Sequence, residues 1–137
     1  MWRRAHDRFR RAVDRYHQML ERVPPGAARD RLEGTGGRLA ALLDDVHGVC
    51  REGQRLAPSA GEDLPGGHGG ALLDAHRALA RAATLAAQAS EAVTLTVVAL
   101  RAGRDDEVLR LPQAAERTVD QVTEQVGRAR ASMSEQA

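Results

Sequence analysis

The sequence predicts an all-α protein, an antiparallel up-down-up-down four-helix bundle with a long Gly/Pro-rich loop between helices 2 and 3. Three observations lead there. Ala, Leu and Val dominate an apolar content of 42%, Ile is absent, and aromatics are only 2%; such a palette favours helices over sheets. Apolar residues recur at three- and four-residue spacing in four separate stretches, the mark of amphipathic helices. Gly and Pro gather between the stretches, where they stop helices. At 137 residues the chain makes one domain, spanning 1–134, with a modest core.

The first helix, Trp2 to about Arg22, is a heptad repeat. Trp-Arg-Arg-Ala-His-Asp-Arg (2–8), Phe-Arg-Arg-Ala-Val-Asp-Arg (9–15) and Tyr-His-Gln-Met-Leu-Glu-Arg (16–22) are near-copies. Trp2, Phe9 and Tyr16 head the copies, and Val23 holds the next equivalent place. Seven residues are close to two helical turns, so these side chains line one face. Pro24-Pro25-Gly26 ends the helix.

The second helix is clear from Arg38 to Leu56, with Leu39, Leu42, Leu43, Val46, Val49 and Cys50 on one face. Its start depends on Gly34-Thr35-Gly36-Gly37, because each Gly costs roughly 1 kcal/mol against Ala inside a helix. Leu32 and Leu39 keep one heptad phase, so continuation from Ala27 is the better reading. Ala57 to Gly70 reads as a mobile loop, rich in Gly and Pro without periodicity.

The third helix, about Ala71 to Ala102, is expected to be the central element. Leu72, Leu79, Ala86, Val93 and Leu100 mark one face; Leu73, Ala80, Ala83, Ala87 and Val98 suggest a second. Gly103 ends it as a left-handed cap. The fourth helix opens at Asp105-Asp106-Glu107, acids suited to a helix start. Pro112 should kink it or mark its first turn. Its seam is Val119, Val122, Val126, Ala129 and Met133, and residues 135–137 should fray. Large rings pack best against small side chains. Trp2, Phe9 and Tyr16 are therefore expected over the Gly-rich or Ala-rich stretches of the second and third helices.

For chemistry the sequence offers little. Asp44 and His47 form one Asp-x-x-His pair, and His76 lies on the third helix. A bundle metal site needs more such pairs than this, so no metal or cofactor is expected. Cys50 sits on the apolar face of its helix and reads as a core residue. No phosphate loop, nucleophile elbow or dinucleotide fingerprint occurs, and no catalytic residue is assigned.

Net charge is +1, which argues against nucleic acid. All basic residues are Arg, the usage of a GC-rich genome, yet residues 1–23 carry seven Arg against Asp7, Asp14 and Glu21. Arg3-Arg4 lacks the apolar run of a signal peptide. Ala82–Leu100, broken by Gln88 and Glu91, reads as too short and too polar for a membrane span. A single Cys suits a cytoplasmic setting.

The favoured reading is a non-enzymatic helical interaction or self-association module, most simply a homodimer. Arg4, Arg8, Arg11 and Arg15 are the partner-binding candidates. The competing readings are a metal-binding bundle enzyme using Asp44, His47 and His76, and a peripheral binder of anionic surfaces through the first helix. The seam assignment has a direct check in urea unfolding. Phe9→Ala should lose roughly 3 kcal/mol or more, as core Phe truncations do. Arg11→Ala should change stability by less than about 0.5 kcal/mol. An unchanged Phe9→Ala midpoint overturns the seam.

Overall fold

The computed structural model describes residues 1–57 and 69–135. It is a four-helix bundle: α1 (Trp2–Leu20), α2 (Ala27–Leu56), α3 (Gly69–Ala102) and α4 (Asp105–Ser134). Most of the expected loop (57–70) and the end of the tail (135–137) lie outside the described residues. Gly69 and Gly70 already belong to α3.

The helices alternate in direction. Around the bundle, α1 packs on α2 and α3, and α4 packs on α3 and α2. Among the described residues α2 and α3 touch only slightly and α1 and α4 not at all, so these pairs face each other across the two diagonals. The short turns join antiparallel neighbours, as bundle geometry requires. The α2–α3 connection instead joins diagonal helices. The neighbours α1 and α3 run parallel, with Trp2 beside His76 and Arg8 beside Thr84. So do α2 and α4, tied by Arg31 to Glu116 and Arg38 to Asp120.

Helix α2 is continuous through Gly34–Gly37, and its glycines explain why. A Cβ on Gly36 would stand 2.8 Å from Cε1 of Tyr16, closer than non-bonded carbons approach. A Cβ on Gly53 would overlap the indole of Trp2. Two rings of α1 therefore lie directly on bare α2 backbone. The phenol of Tyr16 donates a 2.7 Å hydrogen bond to the carbonyl oxygen of Leu32, so the ring is fixed by contact and by its polar end. Phe9, midway between, is fully buried. Leu32 and Leu39, the residues that carried the phase across the glycines, are also fully buried.

Helix α3 packs along α1 and α4. Leu72, Leu79, Ala86 and Val93 are buried as expected. The second face differs from expectation. Of Leu73, Ala80, Ala83, Ala87 and Val98, only Ala83 is buried. The true second stripe is Ala75, Ala78, Ala82, Ala89, Ala92 and Thr96, where small side chains let neighbouring helices come close. Thr96 satisfies its hydroxyl on the Ala92 carbonyl oxygen at 2.7 Å. By length and composition, Gly70–Ala102 could cross a bilayer. The shorter segment considered in the sequence did not capture that; in the bundle this helix is the wall shared by α1 and α4.

In α4, Ala115, Val119, Val122, Val126, Ala129 and Met133 are buried in heptad order. Pro112 lies inside the helix and is buried. It donates no hydrogen bond back toward Val108.

The glycines give opposite expectations for one substitution. Gly36→Ala and Gly53→Ala should each destabilise by about 1–3 kcal/mol, because ring or backbone must move. Gly37 has nothing within 4 Å of a built Cβ. There Ala should stabilise by about 0.5–1 kcal/mol, the ordinary helix gain. Chemical denaturation of the three variants reads this, and equal effects at Gly36 and Gly37 refute the ring-on-backbone contacts.

Candidate functional site

The end of the bundle where α3 turns into α4 is built by local chemistry. Gly103 takes φ of +69°, a conformation that costs glycine little. The N–H of Arg104 donates to the Ala99 carbonyl at 2.9 Å and that of Gly103 to Leu100 at 3.3 Å, the Schellman arrangement. Asp105, Asp106 and Glu107 fill the first turn of α4, where the helix dipole favours negative charge.

This hairpin projects past the other two helices. Met19 and Arg22 share a hollow with Thr94, and α1 ends at Leu20, so α1 stops beside the mid-90s of α3. Arg31 meets Glu116, which places the start of α2 near residue 112 of α4. Beyond those points Val23 of the α1–α2 turn and Val97 and Ala99 of α3 are still buried, whereas Leu95 and Val98 lie on the outward side of α3, in line with Thr84, Gln88 and Glu91. Leu95 is 48% exposed, Val98 49% and Leu109 66%. Arg81 donates to Gln125 at 3.0 Å, and by that register Leu109 comes level with the Leu95–Val98 stretch. Arg101, Arg104 and Arg110 flank Asp105, Asp106 and Glu107 at this tip, and Arg104 pairs with Glu107 at 3.7 Å.

Arg4, Arg8, Arg11 and Arg15 all lie on the exposed face of α1. Arg8 donates to Oγ1 of Thr84 at 3.0 Å, and Arg11 to the Asp7 carbonyl oxygen at 3.3 Å. Arg15 borders the hollow near Thr94. The interleaved acids partly neutralise the face: Arg10 pairs with Asp14 at 3.8 Å. The Asp7 carboxylate turns to His6, 3.3 Å away, and not to an arginine.

Asp44, His47 and His76 are not brought together. Asp44 borders a hollow with Arg130. The His47 ring stands edge-on to His6 with centroids 5.1 Å apart, and His76 stands edge-on to Trp2 at 5.6 Å. Among the described residues, no three His, Cys, Asp or Glu side chains converge as metal ligands do. Cys50 is buried, and burial pushes its thiol up to about 11, away from the thiolate a nucleophile needs. Burial, then the Glu116 charge, raises the Tyr16 phenol above its ordinary range. From the sequence, the greater length of the third helix against the first already suggests a part of it without an intramolecular partner, but Leu109 and Leu95 belong to no regular stripe and are not singled out. No protein-family model matches this chain, and comparison with curated proteins and with solved structures finds no match.

His76 gives the pH dependence a sign. Burial, then the N-terminal ammonium charge, holds its pKa below the ordinary 6.5. The unfolded chain then binds a proton more readily than the fold does. This contribution is whole above 6.5 and is lost as pH falls toward the lowered folded value. The urea midpoint should drop between about pH 8 and about pH 5, and His76→Gln should flatten that drop. An unchanged slope in His76→Gln refutes the assignment.

Proposed function

We propose that this protein is a non-enzymatic helical module that associates with a second copy of itself through the projecting tip of α3 and α4. The observation that carries the reading is the exposure of Leu95, Val98 and Leu109, large apolar side chains on outward positions toward the α3–α4 end of the bundle. Exposed apolar side chains that gather into a patch mark interaction sites.

The tip charges favour a copy of the same chain. Arg101, Arg104 and Arg110 balance Asp105, Asp106 and Glu107, so the surface is its own electrostatic complement. Arg104 pairs with Glu107 within the chain, and a second copy brings both signs to the same contact. Helix pairs from two chains would then extend the four-helix packing with the same ridges and grooves. The tip is small, so the association belongs to the weaker class of interfaces.

Sedimentation equilibrium from about 5 to about 200 µM should show the mass rising from monomer toward dimer, as micromolar affinity requires. The double variant Val98→Asp, Leu109→Asp should stay monomeric with unchanged helical circular dichroism. A wild-type chain that is monomeric throughout removes the reading. So does a double variant that dimerises as well as the wild type.

A further inference from the structure

At the opposite end of the molecule, α1 and α2 flank an open, shallow groove of about 920 Å³. Three guanidinium groups border it: Arg3 from α1, and Arg51 and Arg55 from α2. The edge-on imidazoles of His6 and His47 border it between the helices, and the buried Trp2 and Cys50 lie beneath it. Asp7 is the one acid among these residues.

The pairing of these cations is uneven. Arg55 is held by Glu52, with its Nε donating at 3.1 Å. Arg3 and Arg51 hold no ion pair or side-chain hydrogen bond among the described residues. For Arg51 the cause is legible on its own helix. The residues three and four positions away are His47, Gly48, Gln54 and Arg55, and none is an acid able to form the usual helical pair. For Arg3, the acid four residues on is Asp7, whose carboxylate faces His6. The groove thus collects positive charge in a chain of net charge +1.

We infer that this groove binds a small oxyanion, such as the phosphate of a monoester. Guanidinium forks match the paired oxygens of phosphate, and their hydrogen bonds are charge-assisted. The imidazoles of His6 and His47 add N–H donors beside them. This inference is independent of the self-association reading, because its residues lie at the other end of the bundle.

Trp2 is the only tryptophan in the chain and borders the groove, so its fluorescence reports occupancy directly. Phenyl phosphate titrated into the full chain in low-salt buffer should change Trp2 emission saturably, with a Kd of about 1 mM or tighter. The double variant Arg3→Gln, Arg51→Gln should bind at least about tenfold more weakly. Both residues are exposed, so circular dichroism should show the fold intact. Arg117→Gln, a charge change on α4, should bind as the wild type does. No saturable change up to about 20 mM overturns the inference. So does equal affinity in the double variant, or an equal loss in Arg117→Gln, which would report net charge alone.

Discussion

The constraint on which the structure depends is the seating of two rings on bare backbone. Trp2 covers Gly53 and Tyr16 covers Gly36, two contacts far apart along one helix pair. Each glycine costs roughly 1 kcal/mol of helix propensity, and a buried aromatic ring returns more than that. The pair of contacts sets both the separation and the register of α1 on α2. With only one seat, α1 could pivot about it. With two it cannot slide or tilt without driving a ring into a side chain. The fit leaves a demand unmet, because the indole Nε1 of Trp2 is buried with no partner among the described residues. An orphaned donor of this kind costs on the order of 1–3 kcal/mol, a penalty that the area buried by the indole offsets.

The other interfaces work differently. Between α3 and α4, rows of Ala and Val bring backbones close with little side-chain entropy to lose. Between α2 and α4, charge marks the register. Arg31 grips Glu116 with two bonds of 3.0 and 2.8 Å, Arg38 pairs with Asp120, and Arg130 approaches Asp45 at 3.8 Å. Each exposed pair contributes little to stability. Together they mark the parallel alignment of α2 and α4, while the buried seams supply the energy that holds it.

How much of this was legible follows from what each residue type encodes. The heptad line Trp2–Phe9–Tyr16 and the α4 seam from Val119 to Met133 were readable, because large or β-branched residues at strict spacing leave one choice of face. The continuity of α2 through Gly36 was readable only through Leu32 and Leu39, which hold their phase across it. Helix α3 was misread on its second face. Ala is tolerated both inside and outside, so Ala80, Ala83 and Ala87 carried no directional information, and Leu73 and Val98 followed them into the wrong stripe. The diagonal placement of α2 and α3 was invisible too. Short turns set the direction of the next helix, but not the side of the bundle on which a pair of helices closes. The cationic groove could not be read because Arg3 and Arg51 meet only in three dimensions. What the sequence did show is that Arg51 has no acid at helical spacing.

The ring seats also fix how far α1 reaches along α3. Moving α1 one heptad toward the end of α3 takes Trp2 from Gly53 to the level of Val46, and Tyr16 from Gly36 to that of Arg29. Both rings would then meet side chains where they now meet backbone, and Tyr16 would lose its bond to the Leu32 carbonyl. Such a shift gains nothing at the tip. Leu95 and Val98 stand on outward heptad positions of α3, in line with Arg81 and Gln88 and with Thr84 and Glu91, which stay exposed alongside α1. Their exposure therefore comes from the residues chosen for those positions, which the rest of the helix fills with polar side chains.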